Sequence, residues 1–153
     1  MRSGKARGAK GIGTASTRNQ DMLKDLGAEV AIDYTTEKIE DKAKEVDVAF
    51  VTSGRETLPA SYGVLKKGGV IVSIQAPPDP EECQRNGIEG VFLVSHPDAA
   101  ELAEIGKLID AGKIKPVVTE TLPLSAAAKA SDQAETHHTR GKIVLEIPAP
   151  PAG

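Results

Sequence analysis

Short apolar runs of strand length alternate with stretches whose apolar residues recur at helical spacing. The opening Arg2-Ser3-Gly4-Lys5-Ala6-Arg7-Gly8-Ala9-Lys10 has no aliphatic side chain larger than Ala, so it is not a buried strand. Gly11-Ile12-Gly13-Thr14-Ala15 predicts a short strand. Ser16 or Thr17 then caps a helix to Leu26, with Met22, Leu23 and Leu26 on one face and Gly27 as its stop. Residues 29–33 predict a second strand, and 36–45 a polar helix. The continuous apolar run 46–51 suits a strand buried on both faces. A helix over 56–65, a turn at Lys66-Lys67-Gly68-Gly69 and a strand over 70–74 follow. Residues 76–86, with Pro77, Pro78 and Pro80, are expected to be mostly loop, with at most one helical turn at Glu81-Glu82. Then come a strand over 90–94 and a helix from Asp98 to Gly112, with Leu102, Ile105, Leu108 and Ile109 on one face. A strand over 117–122, an Ala-rich helix capped by Ser125 and running to about 134, and a strand over 142–147 complete the pattern. The Pro/Ala stretch 148–153 is expected to be a disordered tail.

Strands and helices that alternate in this way call for a parallel sheet with helices on both sides. The last two strands flank one helix and pair with each other or with something outside the chain. A length of 153 residues and 39% hydrophobic content suit one domain. With 3% aromatic residues and no Trp, the core is aliphatic and a base-stacking platform is not expected. A net charge of −3 with mixed signs lacks the footprint of a nucleic-acid or anionic-membrane binder. Cys83 is the single cysteine, which excludes an intrachain disulfide and a thiolate zinc cluster. No apolar run approaches the ~18 residues of a membrane span, and the expected location is cytoplasmic.

Candidate chemistry narrows on inspection. Gly11-Ile12-Gly13-Thr14-Ala15-Ser16 mimics a dinucleotide fingerprint, but Ser16 replaces its third Gly and no strand precedes it. Tyr62-Gly63-Val64-Leu65-Lys66 has the Tyr-x-x-x-Lys spacing in which a lysine one helical turn away lowers a phenol pKa. The Gly-rich pattern that accompanies such a pair is missing, since Arg7 stands where its first Gly belongs. His137 and His138 are adjacent and cannot both face one ion on a regular element, and His96 stands beside Pro97 without a ligand set, so no metal site is expected. Glu81 and Glu82 beside Cys83 are expected to raise its pKa and leave an unreactive thiol.

The order of elements, read with particular strings, is more specific. Gly-Thr-Ala-Ser (13–16), Leu-Gly-Ala-Glu-Val-Ala-Ile-Asp-Tyr (26–34) and Asp-Val-Ala-Phe-Val-Thr-Ser-Gly (47–54) occur in sequence. Val-Leu-Lys-Lys-Gly-Gly-Val-Ile-Val-Ser-Ile (64–74), Leu-Ile-Asp-Ala-Gly-Lys-Ile-Lys-Pro-Val-Val (108–118) and His-Thr-Arg-Gly-Lys-Ile-Val-Leu (138–145) follow. From about residue 5 to 147 the chain resembles the cofactor-binding half of the medium-chain dehydrogenase/reductase superfamily. The branch it is most similar to is quinone-oxidoreductase-like, named "zinc-binding dehydrogenase" by relationship although zinc-independent. The resemblance implies a truncated Rossmann-like, doubly wound parallel sheet over 1–147. That sheet lacks its first strand and Gly-rich turn, and its two C-terminal strands belong beside an absent GroES-like domain. The absent strand is the central one of the order 3-2-1-4-5-6.

If 11–15 is the family's second strand, its end carries Thr14, Ser16, Arg18 and Asn19 in place of an acid for the ribose 2′-hydroxyl. Hydroxyls with a guanidinium suit the 2′-phosphate of NADP, although Ser16 as a helix cap with a solvated Arg18 explains the same residues. The resemblance further implies cofactor contacts from Tyr34, from Ser53 and Gly54, from Phe92, Leu93 and Val94, and from Arg140, Gly141 and Lys142. Tyr34, the strand 92–94 and residues 140–142 each have a plain structural alternative: a turn residue half covering the sheet edge, core packing and a solvated turn, respectively. Arg55 beside Gly54 is expected to crowd close cofactor approach.

The resulting expectation is an NADPH-dependent oxidoreductase of the quinone or enone reductase type, or its cofactor-binding fragment, with weak or absent NADP(H) binding without the Gly-rich turn. It would act on a small carbonyl, enone or quinone. No catalytic residue is assigned, since the family's substrate pocket lies largely in the absent domain. A homodimer through the edge strand near 90–94 is implied by the same resemblance. The alternatives are a non-catalytic α/β module for assembly or regulation, and a short-chain reductase using Tyr62 and Lys66.

Overall fold

The computed structural model describes residues 2–136 and 139–148. In chain order, α1 (Arg2–Ala6) leads to β1 (Ile12–Ala15), and a 3-10 turn at Thr17–Asn19 opens α2 (Gln20–Asp25). Next come β2 (Val30–Asp33), the short α3 (Ile39–Lys42) and β3 (Val46–Val51). A 3-10 turn at Arg55–Thr57 runs into α4 (Leu58–Tyr62), followed by β4 (Leu65–Ser73), α5 (Pro80–Asn86) and β5 (Glu89–Phe92). The remainder is α6 (Ala99–Asp110), β6 (Val118–Pro123), a 3-10 turn at Leu124–Ala126, α7 (Ala127–Glu135) and β7 (Lys142–Glu146). The chain forms two compact units, Met1–Ala99 and Ala100–Gly153.

Every strand pair in the first unit is parallel, as the alternation of elements requires. β1 pairs with β2, Ile12 opposite Val30 and Ala15 opposite Asp33. β3, β4 and β5 form a second sheet in that order. Among the described residues no backbone ladder joins the two sheets, so β1 and β3 are each paired on one side there. This break falls where the order 3-2-1-4-5-6 puts its first strand, the element the sequence leads one to miss.

Two apolar clusters hold the unit. Val51, Leu58, Tyr62, Leu65, Ile71, Ala76 and Cys83 pack β3 and β4 against α4 and α5, and Ile71 is fully buried. Ile32, Ala43 and Val64, with Ile39 and Val46 against them, tie β2 and α3 to the start of β3. The core is aliphatic as the composition required, with Tyr62 its buried aromatic.

Several elements differ from their sequence-based expectation. The helix expected over 36–45 shrinks to Ile39–Lys42, and the one over 56–65 ends at Tyr62 because Leu65 already pairs with Val46. Lys66-Lys67-Gly68-Gly69 lies within β4 as an irregularity: Val46 faces Leu65 but Val48 faces Val70, and Gly68 takes φ +76°. The segment expected to be mostly loop holds α5. Asp79 caps it by accepting from the Glu81 N–H at 2.8 Å, Pro80 sits in its first turn, and Gly87 stops it in the left-handed region. Ser125 does not cap the Ala-rich helix but lies inside the preceding 3-10 turn, and Ala126 holds the cap position.

In the second unit the open question of the last two strands is decided: β6 and β7 pair with each other in parallel, Leu122 opposite Leu145, with α7 between them in sequence. Of the stretch expected to be a tail, residues 149–153 lie outside the described residues.

A candidate cofactor rim at the strand ends

Ligand sites on parallel sheets form at the carboxyl ends of the strands, where loops and helix starts leave polar backbone groups free. At the end of β1, the Asn19 amide donates to Ser16 Oγ at 3.3 Å, and the Asn19 N–H to the Ser16 carbonyl at 2.8 Å. Ser16 therefore closes a 3-10 turn without capping it through its side chain. Arg18 is exposed, and Asn19 Oδ1 is enclosed without a hydrogen-bond donor. Thr14 is exposed one residue before the end of β1.

The end of β2 meets this turn. The Tyr34 N–H donates to the Ala15 carbonyl at 3.3 Å, and the Tyr34 side chain is exposed. Thr17 Oγ1 lies 3.0 Å from Thr35 Oγ1. Hydrogen bonding with the Thr17 hydroxyl, and then with the hydroxyl and N–H of Thr35, holds the Asp33 carboxyl below the usual carboxylate range. Thr14, Ser16, Arg18, Asn19 and Tyr34 thus share one rim. Asp33, Thr17 and Thr35 belong to it as well and were missed from the sequence. Asp33 ends an alternating strand, a signal that could have found it.

Ser53 and Gly54 stand at the end of β3, where Thr57 Oγ1 donates to the Ser53 carbonyl at 2.6 Å. Gly54 takes φ +51°. The Glu56 side chain reaches the space where a Cβ on Gly54 would stand. Phe92 closes β5, the Leu93 N–H donates to the Ser73 carbonyl at 2.9 Å, and Phe92, Leu93 and Val94 are all exposed. Arg140, Gly141 and Lys142 belong to the second unit. Gly141 takes φ +78° beneath Val117, whose Cγ1 a Cβ would meet at 2.8 Å, while the Lys142 N–H donates to the Val117 carbonyl at 2.8 Å. Gly141 thus has a packing reason of its own.

The Tyr-x-x-x-Lys pair does not form an acid–base site. Tyr62 ends α4 and Lys66 lies in β4, so the two are not one helical turn apart. Tyr62 is buried with its hydroxyl accepting from the Asp79 N–H at 2.8 Å, and the Lys66 ammonium pairs with Asp47. Cys83 is buried, and its thiol pKa is pushed up first by that burial and then by the carboxylates of Asp79 and Glu82. The carboxylates that act on it are those of Asp79 and Glu82, where the sequence pointed to Glu81 and Glu82.

Among the described residues, no three His, Cys, Asp or Glu side chains gather as a metal-ligand set, so these residues do not fit a zinc site. His137 and His138 lie outside the described residues. No helix among the described residues is long and apolar enough to cross a membrane.

Parallel strands joined through helices, with a polar rim at the strand ends, define a Rossmann-like α/β protein. The family model for zinc-binding dehydrogenase matches residues 26–145, and the chain belongs to that family. It is 34% identical over 139 residues to an NADPH-dependent alkenal/one oxidoreductase, chloroplastic, of Arabidopsis thaliana, covering 90% of this chain and 33% of that protein. It is 27% identical over 144 residues to a probable zinc-binding oxidoreductase, mitochondrial, of Arthroderma benhamiae, covering 89% of this chain and 44% of that one. The quinone oxidoreductase of Coxiella burnetii superposes with a TM-score of 0.84 at 30% identity, over 96% of this chain and 48% of that structure. The chain therefore spans between a third and a half of the length of these relatives.

Proposed function

We propose that the chain is the cofactor-binding part of an NADPH-dependent oxidoreductase that reduces a small enone, quinone or carbonyl compound. The observation that carries this reading is the rim at the ends of β1 and β2, where the loop after β1 presents Ser16, Arg18 and Asn19 and no acidic side chain. Arg18 would pair with the 2′-phosphate, and Asn19 would join it once its enclosed amide turns outward. Tyr34 would lie against the adenosine, and Phe92, Leu93 and Val94 would orient the nicotinamide amide through their backbone. Ser53 and Gly54 would approach the cofactor once the exposed Glu56 side chain turns aside. Arg140 and Lys142, on either side of Gly141, would contribute positive charge. NADPH, when bound, supplies the hydride, while the protein positions it and excludes water.

The names of the Arabidopsis and Coxiella relatives support the substrate class. The same reading includes a homodimer through β5, which light scattering tests. It also includes a cytoplasmic location, which fractionation tests against the organelles in the relatives' names. The cofactor reading is tested by titrating NADPH fluorescence with the chain, and then with Arg18→Gln. Saturable binding that Arg18→Gln weakens about tenfold for NADPH but not for NADH is expected, as for loss of one charge-assisted pair. No binding at millimolar NADPH overturns it and favours the non-catalytic module.

A further inference from the structure

The turn that carries Arg18 has little of its own to hold it. None of Thr17, Arg18 and Asn19 is buried, and Ser16 gives the turn no side-chain cap. Bonds between Asn19 and Ser16 close it on itself. A guanidinium on a loose turn must be ordered, backbone and side chain together, each time it pairs with a ligand oxygen. A turn fixed beforehand avoids that cost.

β2 is the opposite case. Ile32 is fully buried in the cluster with Ala43 and Val64, and Asp33 follows it directly. The Asp33 N–H donates to Glu37 Oε2 at 3.1 Å, and Glu37 pairs with Lys42 of α3 at 3.0 Å. Gln20 joins the two strand ends, its amide donating to the Ala15 carbonyl at 2.8 Å and to the Ile32 carbonyl at 3.2 Å.

A chain of hydroxyls carries that junction on to the turn. Asp33 Oδ1 accepts from the Thr35 N–H at 3.0 Å and from the Thr35 hydroxyl at 2.6 Å. A hydroxyl has one proton, and Thr35 gives its own to the carboxylate. At 3.0 Å, therefore, the Thr17 hydroxyl donates and Thr35 Oγ1 accepts. The order Thr17, Thr35, Asp33 runs from the loose turn to the anchored strand and ends on a charged acceptor, which strengthens such bonds. The lowered pKa of the Asp33 carboxyl, with the Thr17 hydroxyl as its first cause and Thr35 next, agrees with this geometry.

We infer that Asp33 is a positioning residue: through Thr35 and Thr17 it fixes the turn that holds Arg18, so that the guanidinium meets the 2′-phosphate of the dinucleotide already oriented. This rests on the cofactor reading above and adds to it the residue that makes the arginine selective. Thr17 and Thr35 are both exposed, so changes to them leave the core untouched.

The test uses the full chain, labelled with ¹⁵N, and two measurements. Amide exchange is followed at Asn19 and Gln20, whose N–H groups donate within the turn to the Ser16 and Thr17 carbonyls. NADPH and NADH are titrated separately by fluorescence. Thr17→Val should speed exchange at both amides about fivefold and weaken NADPH about fivefold, the worth of one hydrogen bond, with NADH unchanged. Thr17→Ser, which keeps the hydroxyl, should restore both. Asp33→Ala should speed the same amides as much, although Thr17 is intact. Arg18→Gln should weaken NADPH less in the Thr17→Val chain than in the parent, because the two act on one contact. Unchanged exchange in Asp33→Ala overturns the inference. Equal weakening of NADPH and NADH by Thr17→Val also overturns it, since the tie is then plain scaffolding. A parent that binds no NADPH overturns the cofactor reading and the role given to Arg18, while the exchange rates still decide whether Asp33 holds the turn.

Discussion

Replacing Tyr62 by Phe removes one oxygen from the core and leaves the ring in place. The ring is 6% exposed and packs within the cluster of Val51, Leu58, Leu65 and Ile71, so the buried apolar area hardly changes. What is lost is the acceptor for the Asp79 N–H at 2.8 Å, the bond that ties α4 to the residue capping α5. A neutral hydrogen bond nets about 0.5–1.5 kcal/mol, and a donor left dry costs about 1–3 kcal/mol. Asp79 is itself exposed and that N–H half-buried, so water reaches part of the site and a loss of about 1 kcal/mol is expected. Urea unfolding should show this as a midpoint lower by about 0.5 M with unchanged slope, for a slope near 2 kcal/mol/M. Any quinone or enone reductase turnover should stay at the parental rate, whereas removing a general acid costs about a hundredfold or more. A midpoint within about 0.1 M of the parent refutes the structural role. Lost turnover restores the Tyr-x-x-x-Lys reading.

Gly141→Ala should cost at least about 2 kcal/mol, since φ +78° and the Val117 carbonyl both oppose a Cβ; thermal unfolding of the second unit measures it. Glu45 holds φ +55° in the turn before β3, so Glu45→Gly should stabilise the chain or leave it unchanged, with at most about 1 kcal/mol gained by strain relief. A clear loss in denaturant melts would contradict the strain. A hydrogen bond and ion pair with Lys66 lower the Asp47 carboxyl pKa below its ordinary 3.8, and Lys66 is raised in turn. The Asp47 contribution is complete above that ordinary value and is lost as pH falls through the folded one. Asp47→Asn should therefore flatten the acid limb of stability against pH, and an unaltered limb would remove the pair from the account.

Family membership and the type of most elements were legible along the chain. The run Val46–Val51 reads as a strand and is one, and α6 falls within one residue of the expected start. α5 was within reach too: Asp79 before Pro80, acids at Glu81 and Glu82, and Gly87 spell cap, first turn and stop, though three prolines drew attention to a loop. The candidate rim was legible at Ser16, Arg18, Asn19 and Tyr34 because each follows a strand. Asp33 was within reach as the end of an alternating strand, whereas Thr17 and Thr35 joined the rim only through the pairing of β1 with β2.

Periodicity, capping residues and glycines act within a few residues, so the sequence alone determined the aliphatic core, the alternation of strand and helix, and the parallel class of sheet. Contacts between distant residues decided the rest. Leu65 against Val46 ended a helix early, the Asp79 N–H took the Tyr62 hydroxyl, and Glu56 folded over Gly54. A strand's period specifies which way its side chains and backbone groups turn, but whether a neighbour meets those groups depends on chain far away in sequence.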